Sequence, residues 1–216
     1  MNRNNVIKPG WVLLCFCMLL APLFVRSQET PGRESILIIS SYNPDTRRMA
    51  SFITEFEQQI LASGVPCDIY IETLESKGIA DAPLWMSLID NMISRYENRS
   101  LRAIVLLGQE AWASFVSLGR IPEGVMCFSG FASSNGIMLP APSDSLQTWK
   151  PRSVEYQGMT DSLKTVGGML NRYNIRRNVD LIRSFYPQVE NIALITDNTY
   201  GGISLQALVR EEWKNY

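Results

Sequence analysis

The chain has 216 residues, of which 46% are hydrophobic and 19% are charged, so it is long and apolar enough to bury a substantial core. Its 20 Lys and Arg residues balance 21 Asp and Glu residues without a long block of either sign, which argues against a nucleic-acid-binding protein. The sequence contains no histidine, which excludes Ser-His and Cys-His catalytic pairs and a phosphoacceptor histidine within these residues.

An export signal is predicted over Met1–Ser27. Arg3 and Lys8 precede the apolar run Trp11–Val25, and the segment ends in a small residue, as is typical of a secretory signal peptide. A retained membrane anchor is the alternative, but the run is shorter than the ~20 apolar residues that a span needs and contains Pro22. We therefore expect a periplasmic or otherwise extracytoplasmic protein.

A strand, a polar turn and a helix follow this signal. Ile36–Ser40 is an apolar strand and Ser41–Asp45 is the turn, within which Asn43 and Pro44 are expected to begin a helix that ends near Gly64. Units of this kind build doubly wound α/β domains, in which ligands bind beyond the carboxyl ends of the strands.

The unit repeats in the first half of the chain. Asp81 and Pro83 are expected to begin the second helix, and Ala103–Leu107 is an apolar run typical of a strand buried on both faces of a parallel sheet. Further strands are expected at Cys67–Thr73 and Val125–Phe128. The fold class predicted is α/β, a doubly wound parallel sheet forming a flavodoxin-like lobe with strand order 2-1-3-4.

That order separates the two cysteines that follow the signal. Cys67 and Cys127 would lie on the second and fourth strands, three positions apart at ~4.8 Å each, which is too far for a disulfide. We expect two free thiols, even in an oxidising compartment.

The second half of the chain predicts a crossing into a second, similar lobe. Residues 132–152 are expected to form a long surface loop and Val154–Gly158 a hinge strand, followed by a helix-like region interrupted by Gly167 and Gly168. A helix is expected at Arg176–Tyr186.

A second strand-turn-helix unit is then expected, with its strand at Asn191–Thr196, its turn at Asp197–Gly202 and its helix from Ile203. The predicted domains are a signal peptide at 1–27, a first α/β lobe at 35–152, and a hinge with an incomplete second lobe at 153–216.

Candidate ligand-binding residues lie in the turns that follow the strands. Hydroxyl, amide, carboxylate and ring groups gather there, and a solute bound between the lobes would meet them. The same residue types also serve as ordinary caps and turn formers, and Phe131 would equally fill the lobe interior. The candidates are Ser40, Ser41, Tyr42, Gln109, Glu110, Ser129 and Phe131 in the first lobe, and Asp197, Asn198 and Tyr200 in the second.

No enzyme motif accompanies these residues. The sequence lacks a Walker loop, a GxGxxG fingerprint, a GxSxG elbow and a cysteine set with metal-ligand spacing. We therefore expect no catalytic residue, no metal and no cofactor in this chain.

Four segments together resemble a known family. They are Ile36–Pro44, Val105–Ala111, Val154–Gly158 and Phe185–Asn198, in that order. The resemblance, which covers about Ser35 to Tyr216, is to the type I periplasmic binding fold and, within it, to the ABC-transporter substrate-binding-like family. Similar domains form the sensor region of two-component histidine kinases of Bacteroidetes, including hybrid kinases.

The resemblance implies an exported sensor domain that binds a small solute between two lobes. The partners it implies are that solute and a downstream transmembrane and kinase region, which would anchor the full-length protein in the inner membrane; a homodimer is also considered. A free solute-binding protein of an ABC importer is the alternative, and an exported flavodoxin-like enzyme is the third interpretation.

The signal predicts proteolytic processing after Ser27. Val25 and Ser27 occupy acceptable positions before a polar Gln28, so mass spectrometry of the exported product should find a chain that begins at Gln28. A mature chain that still begins at Met1 would indicate a retained anchor instead.

Overall fold

The computed structural model describes residues 33–141, 143–160 and 166–214; the predicted signal peptide lies outside them. The strands are β1 Glu34–Ser40, β2 Cys67–Thr73, β3 Leu101–Leu107, β4 Met126–Ser133, β5 Asn135–Ile137, β6 Ser153–Glu155 and β7 Val166–Asn171. The α-helices are α1 Arg47–Ala62, α2 Ala82–Tyr96, α3 Gln109–Leu118, α4 Tyr156–Thr160, α5 Ile175–Phe185 and α6 Tyr200–Trp213, and a short 3-10 helix spans Ile79–Asp81.

Five strands form one parallel sheet in the order β2-β1-β3-β4-β7. The predicted α/β class and the flavodoxin-like order of the first four strands are confirmed. Ser40, the last residue of β1, pairs with Thr73 of β2 and Leu107 of β3, and Leu107 pairs with Gly130 of β4. This register brings the carboxyl ends of the four strands to one edge, which we call the carboxyl edge.

Helices cover both faces of the sheet. On one face Ile38, Val105 and Leu107 pack against Met49 and Ile53 of α1. On the other face the core includes Ile39, Ile104 and Leu106 with Trp85, Ile89, Trp112 and Phe115 of α2 and α3. Each large side chain buried in this way contributes about 1.5–3 kcal/mol relative to exposure.

Helix α1 begins later than predicted. Its N-cap is Thr46, so Asn43 and Pro44 precede the helix. Asn43 Oδ1 accepts a hydrogen bond from Asp45 N at 2.8 Å, which forms the local turn that asparagine often makes in preference to a helix cap. Asp81, in contrast, is the N-cap of α2 with Pro83 in the first turn, as predicted.

The prediction of a surface loop at 132–152 is wrong for residues 132–137. Strand β4 continues to Ser133, and the buried β5 pairs antiparallel with β6. Asn135 is buried because its side chain exchanges two hydrogen bonds with the backbone of Tyr173, donating to O at 3.0 Å and accepting from N at 2.9 Å. A polar residue satisfied in this way gives no hydrophobic signal in the sequence.

The two glycines of the predicted helix-like region lie in a strand. Gly167 and Gly168 belong to β7, which pairs with β4. Gly168 has φ +140°, and a Cβ there would overlap the backbone of Ser129 where β4 is irregular. The glycines therefore allow two backbones to approach, rather than interrupting a helix. Residues 161–165 of that region lie outside the described residues.

The predicted strand at 191–196 is also wrong. This segment has no regular secondary structure, and Ile195 is 94% exposed. Within the described ranges no strand lies beside it, so its backbone lacks the hydrogen-bonding partners that a strand requires. The preceding helix α5 was correctly predicted, and it leaves the apolar side chains of Leu181 and Phe185 exposed.

A buried tyrosine pair attaches α6 to the rest of the fold. Tyr200 is 1% exposed, and its hydroxyl accepts a hydrogen bond from Ile137 N at 3.1 Å and also contacts the Tyr156 hydroxyl. The strand part of the predicted hinge is confirmed as β6, whereas Tyr156–Gly158 lies in α4. The division into two lobes stays a prediction.

Both cysteines of the described residues are free. Cys67 lies on β2 and Cys127 on β4, with β1 and β3 between them in the sheet. Burial raises the pKa of the Cys127 thiol to about 12, so this thiol is un-ionised at neutral pH.

Gly136→Ala tests the packing of the tyrosine pair. A Cβ at this position would lie 2.9 Å from Tyr156 and Tyr200 atoms, and overpacking of this kind costs about 1–3 kcal/mol. We expect urea unfolding to show a loss of that size. Gly158→Ala is the control, since nothing lies within 4 Å of its added Cβ; equal stabilities for the two variants would contradict the packing described.

Candidate functional site

Ser41 organises the carboxyl edge. It is fully buried, its N donates to Leu107 O at 2.8 Å, and its Oγ accepts from Ala111 N at 2.9 Å. Its carbonyl oxygen accepts from both Ser76 N and Ser76 Oγ, at 3.0 and 2.7 Å. One residue therefore ties the end of β1 to β3, to the start of α3 and to the segment after β2.

Gly108 makes this junction possible. It precedes α3 with φ +99°, and a Cβ there would lie 2.5 Å from Ser41 Oγ. Only glycine combines this left-handed backbone with the space that Ser41 occupies. The first turn of α3, which carries Gln109 and Glu110, is consequently fixed beside the end of β1.

Tyr42 and Glu110 form the central pair of the site. The Tyr42 hydroxyl donates to Glu110 Oε1 at 2.5 Å. Tyr42 is 47% exposed, whereas Glu110 is only 4% exposed and its Oε2 has no hydrogen-bond partner among the described residues. A half-exposed ring thus covers a buried carboxylate with one unpaired oxygen.

The phenol of Tyr42 lies in negative surroundings. Burial is the largest cause that raises its pKa far above the usual value, followed by the hydrogen bond to Glu110 and the charge of that carboxylate. Negative charge on Tyr173 or Asp197 would raise it further, so both side chains lie close enough to influence the Tyr42 hydroxyl.

Gln109 and Ser129 add further buried polar atoms. Gln109 Oε1 accepts a hydrogen bond from Ser133 N, and the Gln109 side chain lies close enough to the buried Tyr200 hydroxyl to influence its pKa. Ser129 Oγ has no partner in the described part of the chain. Ser40 is fully buried and its Oγ donates to Tyr42 O at 2.7 Å, which supports the turn. Buried polar atoms without partners are rare, and besides those of Glu110 and Ser129 the described residues include Trp112 Nε1 and Ser204 Oγ, which lie within helices.

Phe131 lies farther along this edge, on the face covered by α1. Its ring contacts the edge of Phe52 with centroids 5.3 Å apart, and the Arg48 guanidinium lies 4.7 Å from the ring centroid. Its φ of +58° is rare for a phenylalanine. Both a stacking role and a packing role fit this partly exposed position.

Asp197 and Asn198 reach the same edge from the other end of the chain. Asn198 O accepts from Ile79 N at 3.1 Å, which places the turn beside the segment after β2. Asp197 Oδ1 accepts from Thr199 N and Thr199 Oγ1 at 3.1 and 2.6 Å, and these bonds lower the pKa of Asp197. Asp197 therefore carries a charge at neutral pH.

The candidates are thus brought together only in part. Tyr42 and Glu110 are in direct contact, and Asp197 lies in a turn at the same edge, close enough for its charge to act on Tyr42. Tyr200 is buried in the core beside Tyr156, and its contact with a ligand stays a prediction. Sequence reasoning missed Tyr173 and Ser76. Neither follows a predicted strand directly, so no local signal marked them.

Within the described ranges no group of three or more His, Cys, Asp or Glu residues could hold a metal ion, and no helix is long and apolar enough to cross a membrane. An open groove of about 780 Å³ lies at the opposite ends of the strands, near Gly64–Cys67.

No protein-family model, curated protein or solved structure matches the chain.

Ser41→Ala should destabilise the fold, because Ala111 N loses its acceptor at the start of α3. The loss of a capping hydroxyl costs about 0.5–2 kcal/mol, and thermal and urea unfolding should show it. Ser87→Ala is the matched control, an exposed helix position where we expect a change within about 0.5 kcal/mol. A Ser41→Ala variant as stable as the control would contradict the role of this junction.

Proposed function

We propose that this chain is the ligand-recognition domain of an exported sensor. It binds a small solute at the carboxyl edge, between two α/β lobes, and forms the N-terminal part of a two-component sensor histidine kinase. The observation that carries the proposal is the Tyr42–Glu110 pair, in which a buried carboxylate oxygen has no partner among the described residues.

Two physical arguments support binding at this edge. Doubly wound sheets bind ligands beyond the carboxyl ends of their strands, and the polar side chains described above gather there. An unpaired buried polar atom costs about 1–3 kcal/mol, which a solute recovers when it supplies the missing hydrogen bond. The sheet therefore retains at this edge groups that are poorly satisfied without a ligand.

The two-lobe arrangement is supported by exposed apolar side chains beyond β7. Ile182 and Phe185 of α5 and Leu194 and Ile195 of the following segment are exposed, and large apolar side chains that are exposed together in one part of a chain favour packing against another element. Closure of two lobes about a hinge would bring a second set of contacts to a bound solute.

The sensor assignment rests on the likeness of four sequence segments and on the predicted export signal. The reading frame of the gene downstream of Tyr216 tests it. A transmembrane helix followed by a kinase core is expected, and a stop codon directly after a second lobe would contradict the sensor assignment while leaving solute binding in place.

A thermal-shift screen against small solutes tests the binding itself. We expect at least one sugar, amino acid, amine or organic acid to raise the melting temperature. Tyr42→Ala should abolish most of that rise, because water then reaches Glu110 and satisfies the oxygen that the solute would otherwise bind. Tyr186→Ala is the matched control, because it removes an exposed ring at the C-cap of α5.

Asp197→Ala should weaken the binding of the same solute, since the charge of Asp197 acts on the Tyr42 hydroxyl. Binding that survives both Tyr42→Ala and Asp197→Ala unchanged would show that the site is elsewhere.

A further inference from the structure

The unpaired Glu110 oxygen indicates what the solute must supply. Oε1 is already bonded to Tyr42, and Oε2 is buried with no donor in the described part of the chain. A carboxylate oxygen only accepts hydrogen bonds, so the missing partner is a donor. A bare oxygen in a dry environment favours a charged donor most strongly.

The N-terminus of α3 would otherwise favour binding of an anion, but a hydroxyl and a carboxylate of the chain itself already interact with it. Ala111 N donates to Ser41 Oγ, and Glu110 itself places a negative side chain in the first turn of the helix. The positive end of the helix dipole is therefore compensated by a residue of the chain. A carboxylate or phosphate from a solute would meet Glu110 rather than a free helix end.

The charges that act on the Tyr42 hydroxyl have the same sign. Asp197 is ionised and lies near Tyr42, and neither Asp197 nor Glu110 has an ion-pair partner among the described Lys and Arg side chains. Arg172, next to Tyr173 in sequence, is bound to Glu155 at 2.6 Å. Glu110 and Asp197 therefore lack an ion-pair partner within the described residues, and the guanidinium of Arg48 lies farther along the edge, over the Phe131 ring.

We propose that the solute bound at this edge carries a protonated amino group, which replaces the Tyr42 hydroxyl at Glu110 and donates to Glu110 Oε2. The inference rests on the proposed function and names the ligand class for that site. Because Tyr42 is half exposed, rotation of its side chain opens the carboxylate without moving the sheet. The half-exposed ring of Tyr42 then lies beside a cation, an arrangement that aromatic faces stabilise.

The test uses two matched probe sets in calorimetric titrations of the purified chain at neutral pH. One set is putrescine, butanediol and succinate, and the other is phenylethylamine, phenylethanol and phenylacetate. Within a set the carbon skeleton is kept and only the charge class changes. We expect an amine to bind, and the alcohol and acid of the same set to bind at least tenfold more weakly.

Glu110→Gln keeps the size of the side chain and an acceptor for Tyr42 but removes the charge. It should weaken amine binding about tenfold or more, the effect of losing one hydrogen bond to a charged group. Glu123→Gln is the matched control, because Glu123 is an exposed glutamate ahead of β4. This variant should bind the amine with the same affinity as the unaltered chain.

Three outcomes would overturn the inference. They are tighter binding of an alcohol or acid than of its matched amine, full amine affinity in the Glu110→Gln variant, and no binding of either amine. If an alcohol or acid binds instead and Tyr42→Ala weakens it, the ligand class is wrong while solute binding at this edge stands. If no probe binds, the amine inference fails, and the wider thermal-shift screen decides the proposed function separately.

Discussion

The hydrogen bonds of Ser41 are the constraint on which the carboxyl edge depends. Through its N, Oγ and O atoms this buried residue connects the end of β1 with Leu107, Ala111 and Ser76. Gly108 must lack a side chain because Ser41 occupies that space. The first turn of α3 therefore has one position relative to β1, and Glu110 is carried to Tyr42 as a consequence.

This rigidity explains how a poorly satisfied group persists in the fold. The parallel sheet, which is buried on both faces, supplies most of the stability. The fold can therefore tolerate the few kcal/mol of destabilisation that unpaired polar atoms cause at its edge. Glu110 and Ser129 carry such atoms on two neighbouring strand ends. Ser41 and Ser40, in contrast, use their hydroxyls to support the turns, Ser41 Oγ as an acceptor and Ser40 Oγ as a donor. Their contact with a solute stays a prediction.

Much of the sheet could be predicted because β1 and β3 are nearly continuous apolar runs. Ala103–Leu107 is typical of a strand buried on both faces, and the order of the first four strands follows the flavodoxin-like pattern of doubly wound sheets. Two errors occurred where polar or glycine residues form strands: Asn135 is satisfied by the Tyr173 backbone, and Gly168 permits a close backbone approach. A third was the opposite case, the apolar run at 191–196, which forms no strand. Position in a turn predicted which residues reach the edge, but not that Tyr200 would be buried beside Tyr156, since that depends on contacts distant in sequence.

The most direct measurement is a map of backbone amide chemical shifts during titration with phenylethylamine. The account predicts that the largest changes fall on Tyr42, Glu110 and Ala111 and on the turn at Asp197, because the amine enters between them. Changes confined to the opposite ends of the strands, around the groove at Gly64–Cys67, would contradict the assignment of the carboxyl edge as the binding site.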